Sequence, residues 1–467
     1  MARRRTDRPT DGVWLLLTRL FLLATLLLTF TTTAGHAQQQ QKRTFIRDAE
    51  VENTIHAYSA PLFQAAGIDP DSVRLHLIVD NSLNAFVAGG LHMFLHTGLL
   101  IRSENANQLI GVMAHETGHI AGGHLARLRD AAGNAGTEAL VATLLGAAVG
   151  VASGRGDIGG AIALGGQEIA VKNLLTYSRT EESSADQAAV KFLDTTHQSA
   201  KGLLEFFEIL GDQELLVATR QDPYVRTHPL TRDRVAFIRD YVSRSPYANA
   251  PSRPEFAEMH RRMRAKLFAF LEQPGRTLLR YKENDPAIEA RYARAIAYYR
   301  KPELDKALPL IDGLIAERPN DPYFQELKGQ MLFENGRGTE SIAPYRRSVE
   351  LAPDSALLKI GLAQALIEQD DPGMLEEAQK LLSLATHQEP DNNGAWRLSS
   401  VAYGRAGDEG MAAYAMAEQA LLENRATDAN YLAGKAERLL PKSGPVWLRI
   451  QDIKEQTNQG KPEDKRR

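Results

Sequence analysis

Hydrophobic and polar positions along this 467-residue chain change period several times. The segment Arg74-Leu75-His76-Leu77-Ile78-Val79 alternates as a strand does, and Asn84-Ala85-Phe86-Val87-Ala88 runs into Gly89-Gly90, so this region predicts a small sheet with a turn. From Asn105 to Leu128, and again from Glu181 to Leu193, the period becomes helical. Between those helices, Ala139 to Ala152 is almost wholly Ala, Val, Leu and Gly, and Ser153 to Gly166 is rich in Gly. The apolar part is too short to span a bilayer; it reads either as a core helix with a loop or as a lid or flap facing a membrane or partner. At the start, a basic cluster precedes an apolar run from Val13 to Phe30, broken only by Arg19, and then Gly35-His36-Ala37. This predicts a cleaved signal peptide over residues 1–37, with an uncleaved anchor as the alternative.

The second half is repetitive. Pro246, Pro251 and Pro254 mark a junction. Beyond it Pro319 and Pro353 are 34 residues apart, Pro353 and Pro390 are 37 apart, and a small residue (Ala307, Ser341, Ala378) lies twelve positions before each. Ala412 predicts a fourth member ending at Asn424. Tyr298, Leu332, Leu366 and Tyr403 fill a large-residue slot, with Gly329 and Trp396 in the glycine and tryptophan slots. A 34-residue period of this kind is the tetratricopeptide signature, and the three extra residues of the third unit fit an insertion near Asp370-Asp371-Pro372-Gly373. Such helical pairs stack into a superhelix with a groove for a protein partner. The expected organisation is a signal peptide at 1–37, a first domain at 44–244, repeats at 260–456 and a polar tail at 457–467.

Composition narrows the function. With 43% apolar and 24% charged residues, the chain is an ordinary folding sequence and not a disordered one. Without residues 1–37, which hold five basic and two acidic residues, 50 Lys+Arg face 56 Asp+Glu, so a nucleic-acid partner is excluded on charge. Cysteine is absent, which leaves imidazole and carboxylate as the ligands for any zinc.

His115-Glu116-Thr117-Gly118-His119 supplies such a pattern. Helical residues four apart differ by about 40° in azimuth and about 6 Å in height, so both imidazoles reach one ion, while Glu116 addresses a water beside it as the base. A third ligand is needed. The H-E-x-x-H-x-x-G-x-x-H form fails, because Gly122 is in place but Leu125 occupies the histidine position and His124 is one residue early; His124 reads as structural or as a support to a ligand. Glu182-Ser183-Ser184-Ala185-Asp186 offers two carboxylates four apart. One could bind the ion while the other orients a histidine, or both simply favour a helix N-terminus.

His115-Glu116-x-x-His119 followed by Ser178-Arg179-x-x-Glu182-x-x-Ala185-Asp186 resembles the metallopeptidase family that includes the HtpX heat-shock protease and the CAAX prenyl proteases. The resemblance implies an α+β, gluzincin-like zinc metallopeptidase domain, mostly helical with a small sheet, ahead of the all-α tetratricopeptide superhelix. It implies one zinc ion held by His115, His119 and Glu182, with Glu116 catalytic and Asp186 supporting. It also implies that His228, in Thr227-His228-Pro229-Leu230, is a fourth, displaceable ligand or a transition-state stabiliser, although a histidine beside proline is more often a plain loop residue. The strand Asn84, Ala85, Phe86, Val87, Ala88 resembles the one on which family members lay an extended substrate; a plain core strand is the competing reading. Few apolar spans make a prenylated substrate unsuitable. For an exported member ending in repeats, the resemblance implies a periplasmic endopeptidase acting on misfolded or stalled outer-membrane proteins. Its repeats would meet the barrel-assembly machinery, with peripheral membrane association. The rival is a repeat-based chaperone or scaffold with minor or latent proteolysis.

Overall fold

The computed structural model describes residues 44–89, 91–124, 179–211, 223–369 and 371–459. The expected signal peptide, Gly90, Leu125, the Ala139–Gly166 stretch, Ser178, Asp370 and most of the polar tail lie outside them.

The first part is a mixed sheet under helices. Strand β1 (Thr44–Ile46) leads through Asp48, whose carboxylate accepts from Val51 N, into helix α1 (Ala49–Ala65). Then come β2 (Arg74–Val79), β3 (Ala85–Ala88), β4 (His92–His96) and the short α2 (Thr97–Arg102). The sheet order is β1-β2-β4-β3, with β2 parallel to β4 and the outer strands antiparallel to their neighbours. Strand β4 therefore inserts between β2 and β3, and Phe86 pairs with Phe94 across the β3–β4 ladder. The two predicted strands appear where the alternation put them. One sheet face, with Leu77, Val87 and Leu95, joins the main core; on the other, Phe94 stacks on His76 and Phe86 at centroid distances of 4.6 and 4.8 Å.

Helix α3 (Ala106–Ala121) crosses this core, capped by Asn105, whose side-chain oxygen accepts from Gln108 N at 3.0 Å. It ends at Gly122-Gly123, where Gly123 has φ +61°, a break within the helical period; residues 125–128 of that period lie outside the described residues. Helices α4 (Arg179–Thr195), α5 (Lys201–Gly211), α6 (Pro223–Thr227) and α7 (Arg232–Arg244) complete the first part. Only the first two prolines of the predicted junction lie in non-helical chain; Pro254 opens α8 (Pro254–Leu271), its fixed φ suiting the first helical turn. Helix α8 serves two cores: Phe256, Met263 and Leu267 face the first, Ala265 and Ala269 the next.

After α9 (Pro274–Arg280) come ten helices in pairs: α10 (Ile288–Arg300), α11 (Leu304–Glu317), α12 (Pro322–Glu334), α13 (Gly338–Leu351), α14 (Ala356–Ile367), α15 (Pro372–Gln388), α16 (Asn393–Arg405), α17 (Glu409–Leu422), α18 (Ala426–Leu439) and α19 (Pro445–Gln459). Ala307, Ser341 and Ala378 are fully buried where helices meet. Gly329 allows α12 and α13 to touch, since a Cβ there would sit 2.7 Å from the Tyr345 ring. Two details differ from expectation. The three extra residues of the third unit mostly lengthen helix α15 to 17 residues, against 14 in α11 and α13. In the fourth unit the buried small residue is Ala413, not Ala412.

Candidate metal centre

The centre forms where α3, α4 and the α6–α7 turn meet. Gly118, inside the H-E-x-x-H pattern, makes that possible. A Cβ on it would lie 2.7 Å from the carbonyl oxygen of Ala185 and 3.0 Å from its Cα, so only glycine lets α4 come this close. Ala185 sits between Glu182 and Asp186, and both carboxylates are thereby brought against α3.

His115 Nε2 and His119 Nε2 are 3.1 Å apart. Glu182 places Oε2 3.3 Å from the first and Oε1 3.3 Å from the second. Tetrahedral ligands at about 2.0–2.1 Å from a zinc ion stand about 3.3 Å from one another, so this donor set fits such an ion. His228 joins the group: its Nδ1 is 3.0 Å from Glu182 Oε1, and one ligand atom from each of His115, His119, Glu182 and His228 falls within 4.8 Å of the others. All four side chains are buried. Glu116 lies beside them, Oε1 3.5 Å from His228 Nε2, and neither carboxylate oxygen accepts a hydrogen bond among the described residues.

Supports surround the ligands. Asp186 Oδ1 is 2.9 Å from His115 Nδ1, and His124 Nδ1 is 2.9 Å from His119 Nδ1; both are the orienting contacts that metal-binding histidines use. Arg234, the third residue of α7, sends Nε and Nη2 to the two oxygens of Asp186 at 2.6 and 2.8 Å and Nη1 to Glu182 Oε2 at 2.5 Å. One buried guanidinium thus fixes both carboxylates, a task suited to the planar arginine fork.

The electrostatics follow from burial set against charge. Burial would push the His115 proton affinity down, but Asp186 and Glu182 outweigh it and raise its pKa to about 9. In His119, burial dominates, together with the neighbouring histidines, and the pKa falls well below the usual value, leaving a neutral imidazole ready to donate its lone pair. Burial would raise Glu182, yet His228 and Arg234 hold it well below the ordinary carboxylate range. Glu116 goes the other way: burial raises its pKa, only partly offset by His228 and His115. A ligand kept ionised beside a carboxylate of raised proton affinity is the division of labour that hydrolysis requires.

Comparison with known proteins bears on the same residues. Residues 47–242 match the profile of Peptidase family M48, and residues 276–322, 292–356 and 332–400 match tetratricopeptide repeat profiles. The chain carries an M48 metallopeptidase domain. The beta-barrel assembly-enhancing protease of Yersinia pestis is 25% identical over 364 residues, covering 76% of this chain and 73% of that one. That of Escherichia coli K12 is 24% identical, covering 76% and 72%. The metalloprotease YcaL of Escherichia coli K12 is 31% identical over 181 residues, 38% of this chain and 65% of that one. Among solved structures, the tetratricopeptide protein YrrB aligns at 18% identity and TM-score 0.31, over 38% of this chain and 91% of that one. M48 membership and the repeats agree with the family and fold class expected from the motifs.

Within the M48 domain, the structure brings His115, Glu116, His119, Glu182, Asp186 and His228 into one buried cluster. Asn84 to Ala88 form the approach to β3 and β3 itself, the outer strand on the side of the sheet that packs under α3, with every side chain buried. Arg234 and Tyr224 were not singled out from the sequence. Arg234 stands six residues after His228 among the charged residues that open α7, and nothing in its neighbourhood distinguishes it from Arg232 until the fold is known.

Proposed function

We propose that this chain is a periplasmic zinc-dependent endopeptidase acting in outer-membrane protein assembly and quality control, its repeat groove holding a partner or client. The observation that carries the reading is the buried set of His115, His119 and Glu182 at tetrahedral spacing with Glu116 beside it. The biological setting is supported by relatives that carry the name beta-barrel assembly-enhancing protease and align over about three quarters of the chain, and by the export signal expected at residues 1–37.

His115, His119 and Glu182 would hold the ion, with His228 as a displaceable fourth ligand; two nitrogens and one oxygen suit zinc, and no thiolate is available. Bound there, zinc would supply Lewis acidity and bring a water to deprotonation near neutral pH. Glu116 takes that proton on its carboxylate as the water attacks the peptide carbonyl, then returns it to the departing amine. Its raised proton affinity suits both halves of the task. An extended substrate would lie along β3, where main-chain pairing tolerates varied sequences.

The test is metal analysis and casein cleavage by the purified chain before and after chelation. About one zinc per chain is expected, with activity lost on chelation and restored by zinc. Glu116→Gln should keep the zinc and lower kcat at least about 100-fold. His228→Ala separates its two roles: higher activity supports a latch, and lower activity a contribution to the transition state. If Glu116→Gln cells assemble outer-membrane proteins normally, the scaffold reading replaces this one.

A further inference from the structure

Tyr224, on the short helix α6, touches the histidine of the later motif face to face. Its ring stacks on His228 with centroids 4.4 Å apart and planes at 24°. Phe206 meets its edge at 5.2 Å, and the His115 ring lies at 6.5 Å. Its backbone carbonyl accepts from His228 N–H at 2.7 Å and from Thr227 Oγ1 at 3.1 Å. The sequence spacing explains the stack, since residues four apart on a helix share a face.

The hydroxyl is the unusual part. Tyr224 is 1% exposed, and its O–H has no hydrogen-bond partner among the described residues. A buried hydroxyl left unsatisfied costs about 1–3 kcal/mol, and phenylalanine would fill the same space without that cost. His228, on which this ring lies, places its Nε2 3.5 Å from Glu116 Oε1 and its Nδ1 3.0 Å from Glu182 Oε1. Both oxygens of Glu116 are themselves buried without a hydrogen bond. Among the described residues, the site therefore contains an unpaired donor and two unpaired acceptors.

We propose that Tyr224 is a positioning residue of the catalytic centre. Its ring fixes the plane of His228, and its hydroxyl donates to the Glu116 carboxylate, directly or across the reacting water, when peptide and metal are bound. This rests on Glu116 being the base, as proposed above. The hydroxyl thus trades stability of the resting fold for order in the reacting one.

The experiment uses the zinc-loaded full chain and its metal-free form. Tyr224→Phe keeps the stack and removes only the hydroxyl. It should lower kcat about 10-fold, the worth of a hydrogen bond to a charged group, with KM and zinc stoichiometry within about two-fold of wild type. Its metal-free melting temperature should equal or exceed that of wild type; a merely structural tyrosine would lower it. Calorimetric affinity for a phosphinic peptide, a tetrahedral mimic of the reacting carbonyl, should fall about 10-fold in Tyr224→Phe but not when the same change is made in Glu116→Ala, which has no side-chain acceptor. Tyr224→Leu, which also removes the stack, should be slower still. Wild-type kcat in Tyr224→Phe, a lowered metal-free melting temperature, or a loss of affinity that persists beside Glu116→Ala would each overturn the proposal. Full activity in Glu116→Gln alone would instead overturn the assignment of the base.

Discussion

Gly118 decides how close two helices come, and so whether a carboxylate from one reaches the histidines of the other. Replacing it with alanine would gain about 1 kcal/mol of helix propensity. The new Cβ, however, would stand 2.7 Å from a backbone carbonyl that cannot swing away. Overpacking of this kind costs about 1–3 kcal/mol, and α4 can relieve it only by carrying Glu182 outward. Gly118→Ala should therefore weaken zinc at least about 10-fold, measured by competition with a chromophoric chelator, and lower the melting temperature. Arg234→Lys should leave the fold intact yet weaken zinc about 10-fold, because a single ammonium cannot span the oxygens of Asp186 and Glu182. At this scale legibility was uneven. His115, Glu116 and His119 lie within five consecutive residues and could be read from spacing alone. Glu182 lies 63 residues beyond His119, and its meeting with the histidines depends on a helix contact that no local pattern encodes. Arg234 has no signal of its own, because its value comes entirely from the two acids that surround it.

Helix α8 joins the catalytic part to the repeats through polar contacts as well as apolar ones. Arg262 reaches Glu50 Oε1 at 2.7 Å and Asp321 at 2.5 Å, and Lys266 reaches Asp48 Oδ2 at 2.8 Å, with Glu50 at 3.4 Å and Glu326 at 3.6 Å. Tyr292 donates to Glu50 Oε2 at 2.8 Å. Lys266→Met would remove a buried ammonium that meets three acids, leaving buried Glu50 to Arg262, and should destabilise the chain by about 3 kcal/mol in urea unfolding. His260, on the same helix, is buried with Nε2 3.0 Å from the carbonyl of Ser103. Burial lowers its pKa to about 4, the hydrogen bond to Ser103 opposing only in part. Its folded pKa is depressed, so the folded chain binds fewer protons than the unfolded chain below pH 6.5. The stability it contributes is present above that pH and is lost as pH falls towards 4. The slope from this one proton approaches about 1.4 kcal/mol per pH unit. His260→Gln should flatten urea-unfolding stability between pH 6.5 and 4.5 relative to wild type. The period and the prolines located this helix only roughly, since Pro254 reads equally as a linker residue and as a helix opener; which cores the helix serves is a tertiary fact.

Over the whole molecule, the repeats begin on α8 and meet the catalytic part again far along the chain. Arg47, just after β1, bonds Glu52 at 2.7 Å and also Glu389 at 2.9 Å, in the turn between α15 and α16. Their unit period was visible in the sequence, because each helical pair must bury the same small residues. The return was not, because it depends on small rotations that add up over successive units. The Arg47–Glu389 pair is partly exposed, so by itself it is worth no more than about 1 kcal/mol and weakens with salt. Glu389→Lys should increase the radius of gyration seen by small-angle scattering at low ionic strength, and the difference from wild type should shrink as salt rises.

A beam held at one end swings freely, and a light stay at its far side makes it yield only under load. With α8 as one mooring and Arg47 as the other, a load applied to the middle repeats by a bound polypeptide divides between the two. One share arrives at Arg47, which adjoins both the first strand of the sheet and the helix that follows it.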